Sequence, residues 1–394
     1  MTPQKLYPSF LKDAAVLSVT SFGGPQAHLL HFQHLLVEKR KYLTEEELSE
    51  TYALCQVLPG PTSTQTLSAI GYRLGGPNLA YLTLFIWMLP SVAIMTTTAI
   101  LLAHVEARQL SLQFTRFIQP MAVGFVSYAA YSISMKTVTT QRGITLMVLA
   151  GVASYFVRTP FIFPITLLLA GAITSLNYKD HPKEPKKKFD ITWANFFLWA
   201  GVLVFAAVLG GLTKALPIRL FENFYRNGSL IFGGGQVLTP LLYTEFVQYA
   251  PKQYLSPTEF LSGYALVQAL PGPVFSFSSY IGALAMRGDG TGGQILGAVM
   301  SAAGIFLPGT FLIFFMVRVW DSLKKYRMIR ASMEGINAAN AGLVAAAAIT
   351  LFQPLQNTVT NFGFTIGTFC LLAFTKMPPW LIIGLGLFFG FMLN

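Results

Sequence analysis

Charge is scarce in this chain. Only 11% of its 394 residues are Asp, Glu, Lys or Arg, against roughly 25% in soluble domains. An ordinary soluble fold is therefore excluded. Cysteine is nearly absent. Cys55 and Cys370 stand far apart in apolar surroundings, so they read as small core residues, not as a disulfide or metal pair. The sequence holds no H-E-x-x-H, no P-loop and no paired carboxylates at helical spacing within a span, so no enzyme is expected. No cleavable leader is expected either, because the first apolar run, after Phe10, leads into Gly-Gly-Pro instead of a small-residue cleavage site.

What is present is apolar. Hydrophobic residues make up 53% of the chain, in runs such as Leu79–Ala103, Phe196–Leu212 and Leu296–Val317. About 20 apolar residues cross a bilayer as a helix. The runs lack the alternation of strand barrels. An all-α polytopic membrane protein follows. The net charge of +11 concentrates in "KDHPKEPKKKFD" (179–190) and "RVWDSLKKYRMIR" (318–330). In loops, such clusters set orientation and meet anionic lipid, so membrane lipids are expected partners and nucleic acid is not.

The chain repeats itself. "YLTEEELSETYALCQVLPGP" (42–61) lines up without a gap on "YLSPTEFLSGYALVQALPGP" (254–273). "SFGGPQ" (21–26) matches "IFGGGQ" (231–236), "MLPS" (88–91) matches "FLPG" (306–309), and "IQPMAVGFV" (118–126) matches "INAANAGLV" (336–344). The order is kept throughout. We divide the chain into a first repeat, 1–178, a second repeat, 219–394, and a segment between them, 179–218. That segment is a basic cytoplasmic linker followed by one transmembrane helix. Each repeat has six apolar segments. Six return the chain to its starting side, and the unpaired helix turns the second repeat over. Two inverted-topology repeats of this kind are a secondary-transporter architecture. The positive-inside rule puts the amino terminus in the cytoplasm and the carboxyl terminus outside. It mildly favours re-entry over full crossing for the first two segments of each repeat. Length does too, since "LSETYALCQVL" reaches only about halfway across.

Both repeats break their backbone at matching places. Proline stops a helix and is welcome as the first residue of the next. Pro59 can therefore end one half-helix and Pro61 start another, with Gly60 turning the chain. The new helix offers unpaired N–H groups and a positive dipole end beside Thr62, Ser63 and Thr64, which is an anion site. Gly23, Gly24, Pro25 and Gln26 repeat the device. Gly233, Gly234, Gly235 and Gln236 are their counterparts, as are Pro271, Gly272, Pro273 and Ser276 for the second break. Val274 and Phe275 are apolar where Thr62 and Ser63 are polar, so the two half-sites are expected to be unequal. A plain proline kink is the competing reading of any single break.

An anion also attracts cations. Lys12, Arg73 and Arg287 are candidates, with Arg116 and Arg226; interfacial snorkelling is the alternative. Carboxylates and imidazoles in apolar segments bear on proton coupling. Asp13, on the helix leading to Gly-Gly-Pro, is the first choice, and Glu245 and His28 are others. His28, His31 and His34 share one helix, but nothing nearby completes a metal site.

At these residues the chain resembles the chromate ion transporter (CHR) family. "SFGGPQAH" (21–28), "EKRKYL" (38–43) and "QVLPGPTSTQ" (56–65) are similar to the signature of a first CHR domain, and "FGGGQ" with "YALVQALPGP" to the second. The resemblance covers essentially the whole chain in its long two-domain form. It implies export of chromate from the cytoplasm across the plasma membrane, with sulfate as a related substrate, driven by protons and not ATP. No cofactor is implied. The positions carried over are Gly23, Gly24, Pro25, His28, Gln56, Pro59, Gly60, Pro61 and Gln65, then Gly233, Gly234, Gln236, Gln268, Pro271, Gly272 and Pro273. Gly235 departs from the pattern, standing where the first repeat has Pro25. Ser21 neighbours the first break and completes the candidate set. N–H and hydroxyl donors suit chromate and sulfate oxygens equally. A sulfate-type carrier with chromate as a mimic, and a passive anion channel, remain the alternatives. Oligomeric state is open, a homodimer included.

Overall fold

The computed structural model describes residues 3–107, 113–178, 193–232, 235–323 and 326–392. Among these it is all helical. In chain order the helices are α1 Pro3–Thr20, α2 Gly24–Phe32, α3 Glu45–Val57, α4 Thr62–Ala107, α5 Ile118–Thr137, α6 Gln141–Phe156, α7 Ile162–Ser175 and α8 Ala194–Thr213. They continue with α9 Leu216–Leu230, α10 Gly235–Tyr243, α11 Pro257–Gln268, α12 Phe277–Ala285, α13 Gly290–Leu323, α14 Arg327–Phe352, α15 Val359–Phe374 and α16 Pro379–Met392. The linker at 179–190, Gly233, Gly234 and the side chain of Gln236 lie outside the described residues.

Among the described residues, four helical stretches are long and apolar enough to cross a membrane: Thr62–Val105, Ala194–Thr213, Arg287–Val317 and Arg327–Phe352. Four shorter apolar helices accompany them, Ile162–Ser175, Val274–Ala285, Val359–Phe374 and Pro379–Met392. In α8 only Ala206 and Gly210 are buried, and Phe197, Val204, Phe205 and Leu212 face outward. An apolar surface of that extent calls for lipid or protein against it.

The helices break where glycine and proline demand it. α3 stops at Val57, Leu58 is extended, and α4 begins beyond Pro61. α4 itself is two helices, parted by non-helical backbone at Gly75 and Gly76 just before Pro77. Corresponding helices are built alike. α2 and α10 each run straight into a π-helical stretch, Gln33–Lys39 and Thr244–Gln248. α3 opens on a capping box: Glu47 N donates to Thr44 Oγ1 at 3.2 Å and Thr44 N to Glu47 Oε2 at 2.7 Å. α11 opens the same way, with Glu259 N to Ser256 Oγ at 3.2 Å and Ser256 N to Glu259 Oε2 at 2.6 Å. Reciprocal capping satisfies two donors at each helix start.

Two compact units emerge. The first comprises Met1–Leu110, Ile191–Gly235 and Val267–Arg318. Within it α4 packs against α1, α2, α3 and α12, and α8 packs against α9. Its core gathers Phe10, Leu17, Phe32, Leu36, Leu67, Ile70 and Trp87.

The second unit comprises Ser111–Asp190, Gln236–Leu266 and Val319–Asn394. Here α5 packs against α15 and α16, and α14 packs against α6 and α7. α5 corresponds to α14 in the repeat, so the contacts are reciprocal. Small residues permit them: Gly335 meets the Ala170 carbonyl and Gly342 the Met147 carbonyl, close approaches of the kind that hold helices together in lipid.

Candidate functional site

In the first unit four helical starts surround one cavity. Its lining is Pro25, His28, Pro61, Thr62, Ser63, Gly235, Pro273, Val274 and Phe275. Repeat equivalents face it in pairs: Pro25 with Gly235, Pro61 with Pro273, Thr62 with Val274, Ser63 with Phe275. α2 and α10 begin at this wall, α4 begins at Thr62, and a 3₁₀ turn at Val274–Ser276 leads into α12. Such starts leave N–H groups without intrahelical partners and carry the positive end of the helix dipole. The cavity has a volume of about 10 Å³, room for about one water.

The breaks hold each other. Gly60 N donates to Ile231 O at 2.8 Å, and Gly272 N donates to Ser21 O at 2.8 Å. Each Pro-Gly-Pro thus binds the strand of chain that precedes the other repeat's Gly-Gly. Both glycines are left-handed, Gly60 at φ 114° and Gly272 at φ 88°, where other residues are strained. They are also crowded. A Cβ on Gly60 would lie 3.0 Å from Gln65 Nε2, and one on Gly272 3.3 Å from Ser91 Oγ.

The first repeat supplies the polar side. His28 Nδ1 hydrogen-bonds Ser63 Oγ at 3.0 Å. The imidazole stands edge-on to Trp87, ring centroids 5.3 Å apart. Trp87 Nε1 donates to Thr64 Oγ1 at 3.1 Å, and Gln65 Nε2 donates to Pro59 O at 2.7 Å and Gly309 O at 3.3 Å. These bonds fix the Ser63 and Thr64 hydroxyls and the Gln65 amide. Several buried polar atoms have no hydrogen-bond partner, among them Ser21 Oγ, His28 Nε2, Gln65 Oε1 and Ser276 Oγ. Leaving a buried donor or acceptor unpaired costs free energy, so a group able to pair with these atoms would be favoured.

Other candidate residues fall elsewhere. Pro59 and Gly60 are buried just behind the lining; Gly23 and Gly24 set the left-handed entry to α2 at φ 92° and 78°. Gln26 and Gln56 are exposed, and Gln268 and Pro271 are half-buried outside the lining. Lys12, Arg73 and Arg287 are exposed and do not line the cavity; Arg287 Nη1 reaches Leu284 O at 3.5 Å.

Asp13 is buried, and its oxygens are taken. Arg40 donates to Oδ1 through Nε at 3.1 Å and Nη2 at 2.8 Å, and Tyr42 OH donates to Oδ2 at 2.7 Å. The carboxylate fastens α1 to the loop after the π-helix. Desolvation, then the bond to Asp13, pushes the Tyr42 phenol well above its usual value, and the same carboxylate raises the Arg40 guanidinium. In the second unit Glu245 is fully buried and paired with Lys252 at 2.6 Å. His34 pairs with Glu38 at 2.9 Å on an exposed face.

Sequence reasoning missed Trp87, Ser91 and Gly309. The matching "MLPS" and "FLPG" segments were the available signal, since Ser91 and Gly309 occupy the same place in them.

The comparisons agree with this architecture. The model of the family described as "Chromate transporter" matches the chain twice, at residues 9–176 and 218–391. An uncharacterized transporter of Methanocaldococcus jannaschii is 23% identical over 395 residues, covering 98% of this chain and 94% of the relative. A chromate transport protein of Pseudomonas aeruginosa is 25% identical over 374 residues, 93% and 85% of the two chains. A probable chromate transport protein of Synechococcus elongatus is 28% identical over 379 residues, 95% and 90%. No solved structure matches. With the family's model covering both halves, and apolar helices to match, the chain is a multi-pass membrane protein that belongs to the chromate transporter family.

Proposed function

We propose that this protein is a secondary transporter that exports chromate from the cytoplasm, with the dianion held at the helix starts around Pro61 and Gly235. The observation that carries this reading is the cavity lining, drawn from all four breaks, with every lining residue but His28 paired between repeats. A tetrahedral dianion offers several acceptor oxygens at once. Convergent N–H groups and hydroxyls suit it, and the unpaired His28 Nε2 on the lining adds capacity. The exposed candidate cations take no part in the lining, so the positive field comes from helix dipoles.

Reciprocal hydrogen bonds between Gly60–Ile231 and Gly272–Ser21 fit a two-fold relation, in which each element meets its equivalent's partner. An axis in the membrane plane would make the repeats inverted and permit rocking between two access states. Under this reading the amino terminus is cytoplasmic and the carboxyl terminus external. A cavity of about 10 Å³ favours a carrier over a passive channel, which needs a continuous path.

We assign proton coupling to His28. It lines the cavity, whereas Asp13 and Glu245 are committed to ion pairs. Sulfate presents the same geometry and is the alternative cargo.

The test is flux into proteoliposomes under an imposed pH gradient, with chromate and sulfate supplied separately. Uphill chromate movement that collapses in Gly24→Ala and Pro61→Ala supports the reading. Flux indifferent to both substitutions, or a single-channel conductance, overturns it.

A further inference from the structure

An anion held in the cavity needs a way out of it. The lining residues Val274 and Phe275 lead directly into α12. From Phe277 to Arg287 the chain climbs about 15 Å at 1.5 Å per residue, half of the roughly 30 Å hydrocarbon core. It ends in an exposed turn, 287–292, and α13 returns alongside α12. The two helices touch where glycine allows it. A Cβ on Gly282 would run into Gly297 O and Ser301 Oγ, and one on Gly297 into Gly282 O.

Polar groups flank that crossing on both sides. Ser278, one turn before Gly282, and Ser301, one turn after Gly297, lie on its cavity side. Gln294 lies on its surface side. All three are at most 2% exposed, yet Ser278 Oγ, Ser301 Oγ and Gln294 Nε2 have no hydrogen-bond partner. Ser276 Oγ, next to the lining residue Phe275, has none either. Buried polar atoms are rarely left so. Here they follow one seam from cavity to surface.

The matching crossing in the first repeat is built differently. Gly71 and Gly282 each follow an isoleucine, and Thr83 and Ser301 stand at the same distance before Pro90 and Pro308. A Cβ on Gly71 would lie 2.9 Å from Thr83 Oγ1 and 3.4 Å from Leu79 O, so the same elements meet. Thr83 Oγ1, however, donates to Leu79 O at 2.7 Å. Buried Leu67 stands one turn before Gly71, where the second repeat has Ser278. Ser68 Oγ is the unpaired atom nearest Gly71 in sequence. Parting α12 from α13 therefore gives partners to several buried polar atoms, and parting the first pair gives one to Ser68.

We infer that the seam between α12 and α13 is the route by which the oxyanion passes between the cavity and the membrane surface at 287–292, an inference that rests on the transporter reading above. Ser276, Ser278, Ser301 and the Gln294 amide are its successive donors, and the Gly282–Gly297 crossing is the point that parts.

Thiol labelling in nanodiscs, which expose both faces, tests the route. In a chain carrying Cys55→Ala and Cys370→Ala, single cysteines are introduced as Ser301→Cys, Ser278→Cys and, in the first repeat, Thr83→Cys. Each is treated with the anionic reagent methanethiosulfonate ethylsulfonate and with a neutral methyl methanethiosulfonate. Ser301→Cys and Ser278→Cys should react with the anionic reagent about tenfold faster than Thr83→Cys, the effect of one hydrogen bond gained on opening. If one serine variant does not fold, the other decides. Equal rates at all three positions, no reaction at either serine position, or reaction with the neutral reagent alone overturns the route. Chromate and sulfate flux of the cysteine-free chain is measured in parallel. Flux with an unlabelled seam overturns the route and leaves the transporter reading standing. A labelled seam without flux overturns the transporter reading, and with it the anion as the seam's occupant.

Discussion

Gly60 donates its amide to the carbonyl of Ile231 at 2.8 Å, so the Pro-Gly-Pro turn of one repeat is anchored on the segment leading to the other repeat's Gly-Gly break. Gly272 and Ser21 return the same bond. The left-handed angle at each glycine aims the amide.

Alanine at either glycine should therefore be costly. A left-handed non-glycine residue costs roughly 1–2 kcal/mol, and the crowding near Gln65 or Ser91 adds to it. Thermal unfolding in detergent should show Gly60→Ala and Gly272→Ala each destabilised by about that much or more. Gly201→Ala, in open space on α8, should unfold like the wild type.

The cavity's two sides differ in chemistry, so substitutions should differ in effect. Thr62→Val removes a hydroxyl from the polar side. Hydrogen bonds to charged groups are worth about 1.5–3 kcal/mol, so chromate binding should weaken about tenfold or more. Val274→Ala, at the equivalent position, removes no donor and should change affinity little. Equilibrium binding to the purified protein distinguishes them.

Among the described residues that line the cavity, His28 is the one titratable side chain. His28→Gln should flatten the pH dependence of flux, while Ser63→Ala, which releases Nδ1, should shift the profile without flattening it. Flux at fixed membrane potential over pH 5.5 to 8.5 reads both. An unchanged profile in His28→Gln would move coupling to another group.

The clamp on Asp13 should be insensitive to neutral and mildly alkaline pH. A phenol whose folded-state pKa is raised contributes fully below its unfolded value near 10 and loses that contribution only as pH rises beyond it. Tyr42→Phe removes one hydrogen bond to a carboxylate, about 1.5–3 kcal/mol. The deficit should be the same at pH 6 and pH 8 in thermal unfolding.

Much of this was written in local sequence. Proline and glycine act on their own backbone, so the breaks at Gly23–Pro25, Pro59–Pro61 and Pro271–Pro273 could be placed without a fold. The polar–apolar contrast between Thr62-Ser63 and Val274-Phe275 was equally local. Long-range choices were not. Asp13 reads as a lone carboxylate until Arg40 and Tyr42 fold back onto it. Lys12, Arg73 and Arg287 sit next to broken segments in sequence, yet adjacency along a helix does not fix which way a long side chain turns. Trp87 lies in an apolar run like any other aromatic, and only packing brings it against His28. The π-helical stretches after α2 and α10 leave no mark in composition, because one extra residue per turn changes no residue type.

A cargo of five heavy atoms does not pass through a chamber sized for one water. If the cargo is an oxyanion, every turnover must dilate the region between the four helix starts and then collapse it. The dilated form occupies more volume, so hydrostatic pressure should slow the cycle by opposing that expansion. Mechanical compressibility becomes as much a property of this protein as selectivity.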